Sequence, residues 1–227
     1  MNRTKASQNR LIHAECWIFD LDNTLYPASC DLFAQVDEKM TAYIADYLDV
    51  DLEQASEIRK TYYRDHGTTM SGMMALHDMD PAGFLDYVHD IDLSPISANP
   101  DLDQALGSLS GRKIIFTNGP TNHAERVLDR LSIHHHFEDI FDIIGADYIP
   151  KPMPGAYEVL VGRYRLMPDE TVMVEDLLRN LKPADELGMT TVWVRSDSEL
   201  NAEKPGHGDA HHVVDDLTHW LAALTPG

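Results

Sequence analysis

Short, nearly uninterrupted apolar runs recur along the chain at Cys16-Trp17-Ile18-Phe19, Ile114-Ile115-Phe116, Ile140 to Ile144, Thr171 to Val174, Thr190 to Val194 and Val213-Val214. Runs of this length, rich in β-branched and aromatic side chains, fit strands buried on both faces, as in a parallel sheet. Between them the apolar spacing lengthens to a helical period at 101–109, from Pro120 to Leu131, from a Pro-rich loop at 150–154 to Arg165, at 180–187 before Gly188, and at 216–224. Strands alternating with helices of about ten residues predict an α/β fold with a doubly wound parallel sheet.

One stretch breaks the alternation. From Cys30 to Val88 only the helical period is present. Leu32, Phe33, Val36, Met40, Tyr43, Ile44 and Tyr47 mark one amphipathic helix, and Leu52, Ala55, Ile58, Tyr62 and Tyr63 a second. Met70, Met73, Met74 and Leu76 suggest a short third, and Asp80-Pro81 starts a fourth with proline at its first position. Two prolines between Ile91 and Pro100 read as a return linker, and residues 1–10 as a loose polar leader. The expected organisation is a core built from 1–27 and 98–227, interrupted directly after its first strand by an all-helical unit at 28–97.

Charge narrows the partners. The 227 residues carry 38 acidic and 18 basic side chains, a formal charge of −20. That field repels phosphate polymers and anionic membrane surfaces, so neither a nucleic acid polymer nor a membrane is an expected partner. A small phosphorylated ligand would need local neutralisation by a metal, a lysine or a helix N-terminus. Two cysteines, Cys16 and Cys30, make no disulfide framework. The polar first ten residues lack a signal-peptide core, and no run of about 20 apolar residues occurs; a cytoplasmic protein is expected.

The strand ends carry the chemistry. Cys16-Trp17-Ile18-Phe19 stops at Asp20-Leu21-Asp22, two carboxylates that suit a cation or a division between nucleophile and acid/base, or else a polar turn. Ile114-Ile115-Phe116 stops at Thr117-Asn118-Gly119 before Pro120, where a hydroxyl, free backbone N–H groups and a helix start make an anion site or a simple cap. Lys151 stands between Pro150 and Pro152, which stiffen its loop. Thr171 to Val174 leads into Glu175-Asp176, oxygen ligands of the kind Mg²⁺ takes or else another polar turn. Asn180 follows four residues on, to cap the next helix or hold a metal-bound water.

Asp-x-Asp, Thr/Asn, Lys and an acidic pair, in this order, resemble the four motifs of the haloacid dehalogenase-like hydrolase superfamily. Phe19-Asp20-Leu21-Asp22-Asn23-Thr24-Leu25-Tyr26-Pro27 matches the first motif, and the helical insertion falls where that family places its type 1 cap. The resemblance implies a Rossmann-like core and Mg²⁺ as cofactor. It implies Asp20 as nucleophile and Asp22 as acid/base, and Mg²⁺ held by the Asp20 carboxylate, the Asp22 backbone carbonyl and Asp176. Glu175 would lie behind the ion or reach it through water. Thr117, Asn118, Gly119 and Lys151 would bind the transferring phosphoryl group. The second aspartate sets the chain apart from true dehalogenases and from ATP-driven pumps of the superfamily.

Within the superfamily the sequence looks most like pyrimidine 5′-nucleotidases, on Leu25-Tyr26-Pro27, Gly67-Thr68-Thr69, Asn180-Leu181 and Leu187 to Val192. The expected substrate is thus a small phosphomonoester such as UMP or CMP. Phosphoglycolate, a sugar phosphate or phosphomutase chemistry are the rivals, and a non-catalytic phosphate-ligand binder is a remote one. Tyr62, Tyr63, Arg64, His66, Thr68 and Thr69 are the cap candidates for substrate contact, with cap packing as the alternative for the tyrosines. A monomer or weak homodimer is expected. His134-His135-His136 and His211-His212 read as loop or edge residues, because neighbours on an extended segment point to opposite faces.

Overall fold

The strand expected at the head of the chain is the centre of the sheet. In the computed structural model, which describes residues 10–195 and 210–224, β1 (Cys16–Phe19) lies inside an all-parallel, six-stranded sheet. Its companions are β2 (Arg112–Phe116), β3 (Asp139–Phe141), β4 (Thr171–Glu175), β5 (Thr190–Val194) and β6 (His212–Val214), in the order β3-β2-β1-β4-β5-β6. The expected leader at 1–10 lies outside the described residues except for Arg10.

The side-chain period of two divides β1 between two cores. Trp17 and Phe19 join one apolar cluster with Ile115, Val172, Val174 and Val192. Cys16 and Ile18 join the other with Ile114, Phe116, Met173 and Trp193. The first cluster is covered by α5 (Pro100–Ser108), α6 (Thr121–Leu131) and α9 (Leu217–Leu224), and the second by α7 (Pro154–Tyr164) and α8 (Leu178–Leu187). Helices on both faces are the doubly wound arrangement, and they explain why the strands read as continuous apolar runs.

This strand order reverses direction at β1. The chain steps from β1 to β2 and β3 on one side, then to β4, β5 and β6 on the other. Such a reversal opens a crevice outside the carboxyl ends of the strands, where ligands bind. Register sharpens the point: Phe19 lies opposite Ile115 on one side and Val174 on the other. The ends of β1, β2 and β4 therefore come nearly level, with Asp20 beside Phe116 and Glu175 and with Thr117 one residue further along.

β3 is shorter than the Ile140–Ile144 run suggests, and Asp142 is the reason. Its Oδ2 accepts from both the backbone N–H and the hydroxyl of Thr121 at the start of α6, at 2.8 Å each, and its Oδ1 accepts from Gly145 N–H at 2.7 Å. The chain turns at Asp142, and Ile144 is left half exposed.

Between β1 and α5 run four helices: α1 (Leu32–Leu48), α2 (Leu52–His66), α3 (Thr69–His77) and α4 (Pro81–Val88). Their starts are chemically marked. Asp51 Oδ1 accepts from Gln54 N–H, Thr68 Oγ1 from Ser71 N–H, and Asp80 Oδ1 from Ala82 N–H beside Pro81. α1 packs on α2 and α4, and α2 on α3. The α2–α3 contact is close because α3 presents Gly72. A Cβ there would stand 2.4 Å from Tyr62 Cβ. Gly72→Ala is expected to destabilise the protein by about 1–3 kcal/mol through overpacking, read as a lower denaturation midpoint.

Candidate active site

Asp20 follows the last residue of β1, and its N–H still donates to Val174 O at 2.9 Å, which continues the ladder into the site. Both carboxylate oxygens are claimed: Lys151 Nζ donates to Oδ1 at 2.7 Å and Thr24 Oγ1 to Oδ2 at 2.9 Å. The turn that follows, with Asn23 in the left-handed region at φ 61°, folds Thr24 back for this contact. Asp22 faces elsewhere. Its Oδ1 accepts from Tyr26 Oη at 2.5 Å and from His123 Nε2 at 2.9 Å. The two carboxylates of one motif thus have separate surroundings.

Lys151 is a buried ammonium with every proton placed. It donates to Asp20 Oδ1, to Glu175 Oε2 at 2.7 Å and to Phe116 O at 2.8 Å. Asn118 fixes the lysine's loop from both sides: its Oδ1 accepts from Lys151 N–H at 2.8 Å and its Nδ2 donates to Lys151 O at 3.2 Å. Gly119 N–H, expected to face an anion, donates to Thr117 Oγ1 at 2.9 Å.

The electrostatics follow from counting charges in a dry place. Asp20, Glu175 and Asp176 are buried with one ammonium, Lys151, among them. Desolvation, with Glu175 beside it, raises the Asp20 carboxyl to about 7, against the pull of Lys151. Burial alone would lower the Lys151 ammonium, but Asp20 and Glu175 outweigh it and push the lysine above its ordinary range. Asp22 is also desolvated, yet His123 and the Tyr26 hydroxyl hold it down to about 2. One aspartate resists ionisation and its neighbour two residues away favours it.

This donor set fits a divalent cation. One carboxylate oxygen each from Asp20, Glu175 and Asp176 lie within 4.8 Å of one another, with Lys151 paired to the first two. Hard oxygen donors of this kind suit Mg²⁺. Asn180 adds a second sign: its Oδ1 is buried and without a hydrogen-bond partner among the described residues. It does not cap α8, which starts after Leu177.

The six cap candidates do not form one cluster. Tyr62 packs against Gly72 and its hydroxyl pairs with His77 Nε2 at 2.7 Å, inside the insertion. His66 meets the Tyr62 ring edge-on. Arg64 pairs with its exposed neighbour Asp65. Thr68 caps α3, and Thr69 is buried with its hydroxyl on Arg59 O at 3.2 Å. Tyr63 alone of the six reaches the core: Arg179 stacks over its ring, 4.5 Å from guanidinium carbon to centroid, and donates to its hydroxyl. Arg179, three residues after Asp176, was not singled out in the sequence.

His123 was missed as well, and Thr24 and Tyr26 were read as parts of the first motif without their contacts to Asp20 and Asp22. His123 lies in the apolar stripe Ala124, Val127, Leu128 and Leu131 of α6, all buried. A histidine inside such a stripe was the available signal. For His134–His136 the sequence argument needs correction. They form a 3₁₀ turn, not an extended segment, so the His135 and His136 rings lie 4.0 Å apart on one side, with both Nε2 atoms near Asp103 Oδ1. Being before β3, this group lies at the amino ends of the strands, away from the site. His212 opens the edge strand β6, and His211 pairs with Thr191 Oγ1 at 2.9 Å.

An open parallel sheet carries a buried carboxylate, Asp20, and an acidic cluster suited to a cation at its carboxyl edge. The chain belongs to the haloacid dehalogenase-like hydrolases: the model of that family matches residues 15–188. A glyceraldehyde 3-phosphate phosphatase of Methanocaldococcus jannaschii is 28% identical over 207 residues, 85% of this chain and 90% of the relative. A phosphoglycolate phosphatase of Mannheimia succiniciproducens is 30% identical over 98 residues, 41% of this chain and 42% of the relative. The crystal structure of a HAD phosphatase from Thermococcus onnurineus has the same fold, with a TM-score of 0.62 at 19% identity over 92% of this chain and 97% of that one. The expected likeness to pyrimidine 5′-nucleotidases is not matched by the names of these relatives. Among the described residues no helix is long and apolar enough to cross a membrane.

Proposed function

We propose that this chain is a Mg²⁺-dependent phosphatase that hydrolyses a small phosphomonoester through an aspartyl-phosphate on Asp20. The observation that carries the reading is the contrast between the two aspartates. Asp20 is clamped by Lys151 and Thr24 beside the acidic cluster, while Asp22 is turned to Tyr26 and His123. Asp20 would attack phosphorus in line, and the P–O bond to the leaving group would break as Asp22, ionised at rest, passes the proton of the phosphomonoester monoanion to that oxygen. Asp22 would then take a proton from the water that attacks the aspartyl-phosphate, which releases phosphate and frees Asp20.

Asp20, the Asp22 backbone carbonyl and Asp176 would hold the ion, with Glu175 and Asn180 behind it. When bound, Mg²⁺ supplies the positive charge that favours ionised Asp20 and offsets the phosphoryl oxygens. Thr117 and its loop, at the start of α6, would face those oxygens, and Lys151 would keep Asp20 and Glu175 in place. Arg179, held against Tyr63, is the group we assign to the rest of the substrate.

For the substrate, the names of the relatives support a phosphorylated two- or three-carbon metabolite over a nucleotide. The pyrimidine nucleotide reading keeps one support, the Tyr63 ring near the core. Phosphate release from p-nitrophenyl phosphate should vanish with EDTA and return with Mg²⁺. In a panel of glyceraldehyde 3-phosphate, phosphoglycolate, UMP, CMP, AMP and GMP, the first two should lead in kcat/KM by about tenfold or more, a difference of about 1.4 kcal/mol in transition-state binding. UMP and CMP at the head of the panel would restore the nucleotidase reading. Isomerisation of a sugar phosphate without net phosphate release would replace hydrolase by mutase.

A further inference from the structure

Asp22 is held at one oxygen only. The Tyr26 hydroxyl and His123 Nε2 both reach Oδ1, at 2.5 and 2.9 Å, and among the described residues no donor reaches Oδ2. Two donors on one oxygen fix the rotation of a carboxylate, since a flip would break both bonds at once. Oδ2 is left as the oxygen that can carry a proton to or from substrate.

His123 is an odd residue for its place. Its side chain is 1% exposed, and its Nδ1 is buried with no hydrogen-bond partner among the described residues. A ring kept only for packing would do better as leucine, because an unpartnered buried nitrogen is costly. The bond to Asp22 is what the imidazole supplies. His89, at the end of α4, lies against it with ring centroids 4.9 Å apart. That ring is itself fixed, with Nδ1 2.9 Å from Leu85 O, and Arg126 donates to the carbonyls of His89 and Ile91 at 3.1 and 2.8 Å. A Cβ on Gly119 would stand 3.4 Å from His123 Cδ2, from His89 Nε2 and from Thr117 Oγ1. Both rings thus border the Thr117–Gly119 loop.

We propose that His123 is a positioning residue that, with Tyr26, aims Oδ2 of Asp22 at the leaving-group oxygen, and that His89 braces its ring from the helical insertion. The inference rests on the acid–base part assigned to Asp22 above, so its test must separate the two. kcat/KM reports the steps through leaving-group departure. A p-nitrophenolate leaves with little help, whereas an alkoxide needs the proton. The comparison is therefore p-nitrophenyl phosphate against the best alkyl phosphomonoester of the panel.

His123→Gln places an amide N–H near the Nε2 position, whereas the shorter His123→Asn leaves Oδ1 out of reach. Asn is expected to lower kcat/KM for the alkyl ester by about 10²-fold and for p-nitrophenyl phosphate by less than tenfold, and Gln to recover most of the loss. Tyr26→Phe should show the same selectivity, more weakly. Equal losses on both substrates, or Gln no better than Asn in variants that melt like wild type, would overturn the proposal. Asp22→Asn is run beside them. If it shows no selective loss on the alkyl ester, the acid–base reading fails, and the proposal fails with it.

Discussion

Asp20→Asn is expected to lower phosphate release by at least about 10⁴-fold while leaving the metal-free protein as stable as wild type, or more so. The rate loss follows from chemistry, since a neutral amide does not attack phosphorus and the remaining groups only bind and orient. The stability follows from the charge balance. In wild type Asp20 and Glu175 share one ammonium, both at 2.7 Å, with Asp176 buried beside them. The substitution removes one of three negative charges and leaves Lys151 paired with Glu175. The amide oxygen can still accept from Lys151, and the Thr24 hydroxyl can rotate to accept from the amide. A single set of samples in EDTA tests both halves, by phosphate release and by thermal melting. A variant that melts well below wild type would show that Asp20 is needed for the fold, and one with wild-type turnover would remove it as nucleophile.

That result would concern a residue the sequence made easy to find, and the reason is physical. A strand covered on both faces must be apolar throughout, so Asp20 after four residues that are 0–3% exposed marks the place where the chain leaves the core. The same contrast exposes Thr117 after β2 and Asp176 after β4. Partners that meet only in space had no such mark. His123 follows Asp22 by 101 positions and sits in a helical stripe that periodicity assigns to packing. Tyr62 and Tyr63 are adjacent and chemically alike, yet a helix turns by about 100° between them, so one faces Gly72 and the other Arg179. No count of apolar positions tells which faces the site. Lys151 was found as a residue but not as a bond pattern. Its loop suggested a presented charge, while in the fold its three protons go to Asp20, Glu175 and Phe116.

Removal of that ammonium gives the largest expected effect on stability. Lys151→Met keeps the aliphatic stem and strands Asp20 and Glu175 without their shared counter-charge, a loss that costs about 3–5 kcal/mol when one partner of a buried pair is deleted. The loss should depend on pH with a definite sign. Asp20 already has its carboxyl raised to about 7 in the presence of Lys151, and without it the direction is further up. The folded variant then holds a proton that the unfolded chain, with aspartates near 4, has released. Where the native state binds more protons, stability falls as pH rises. The defect should therefore be mild near pH 5.5 and severe near pH 8.5, measured by urea unfolding in EDTA at both values, and Mg²⁺ should restore part of it at the higher pH. Equal destabilisation at the two pH values would mean that the lysine acts through packing on Phe116, over whose ring its ammonium lies at 5.0 Å, and not through charge. Activity at pH 7 should fall by about 10²–10³-fold, because the group that holds Asp20 in line would be gone even when magnesium supplies the missing charge.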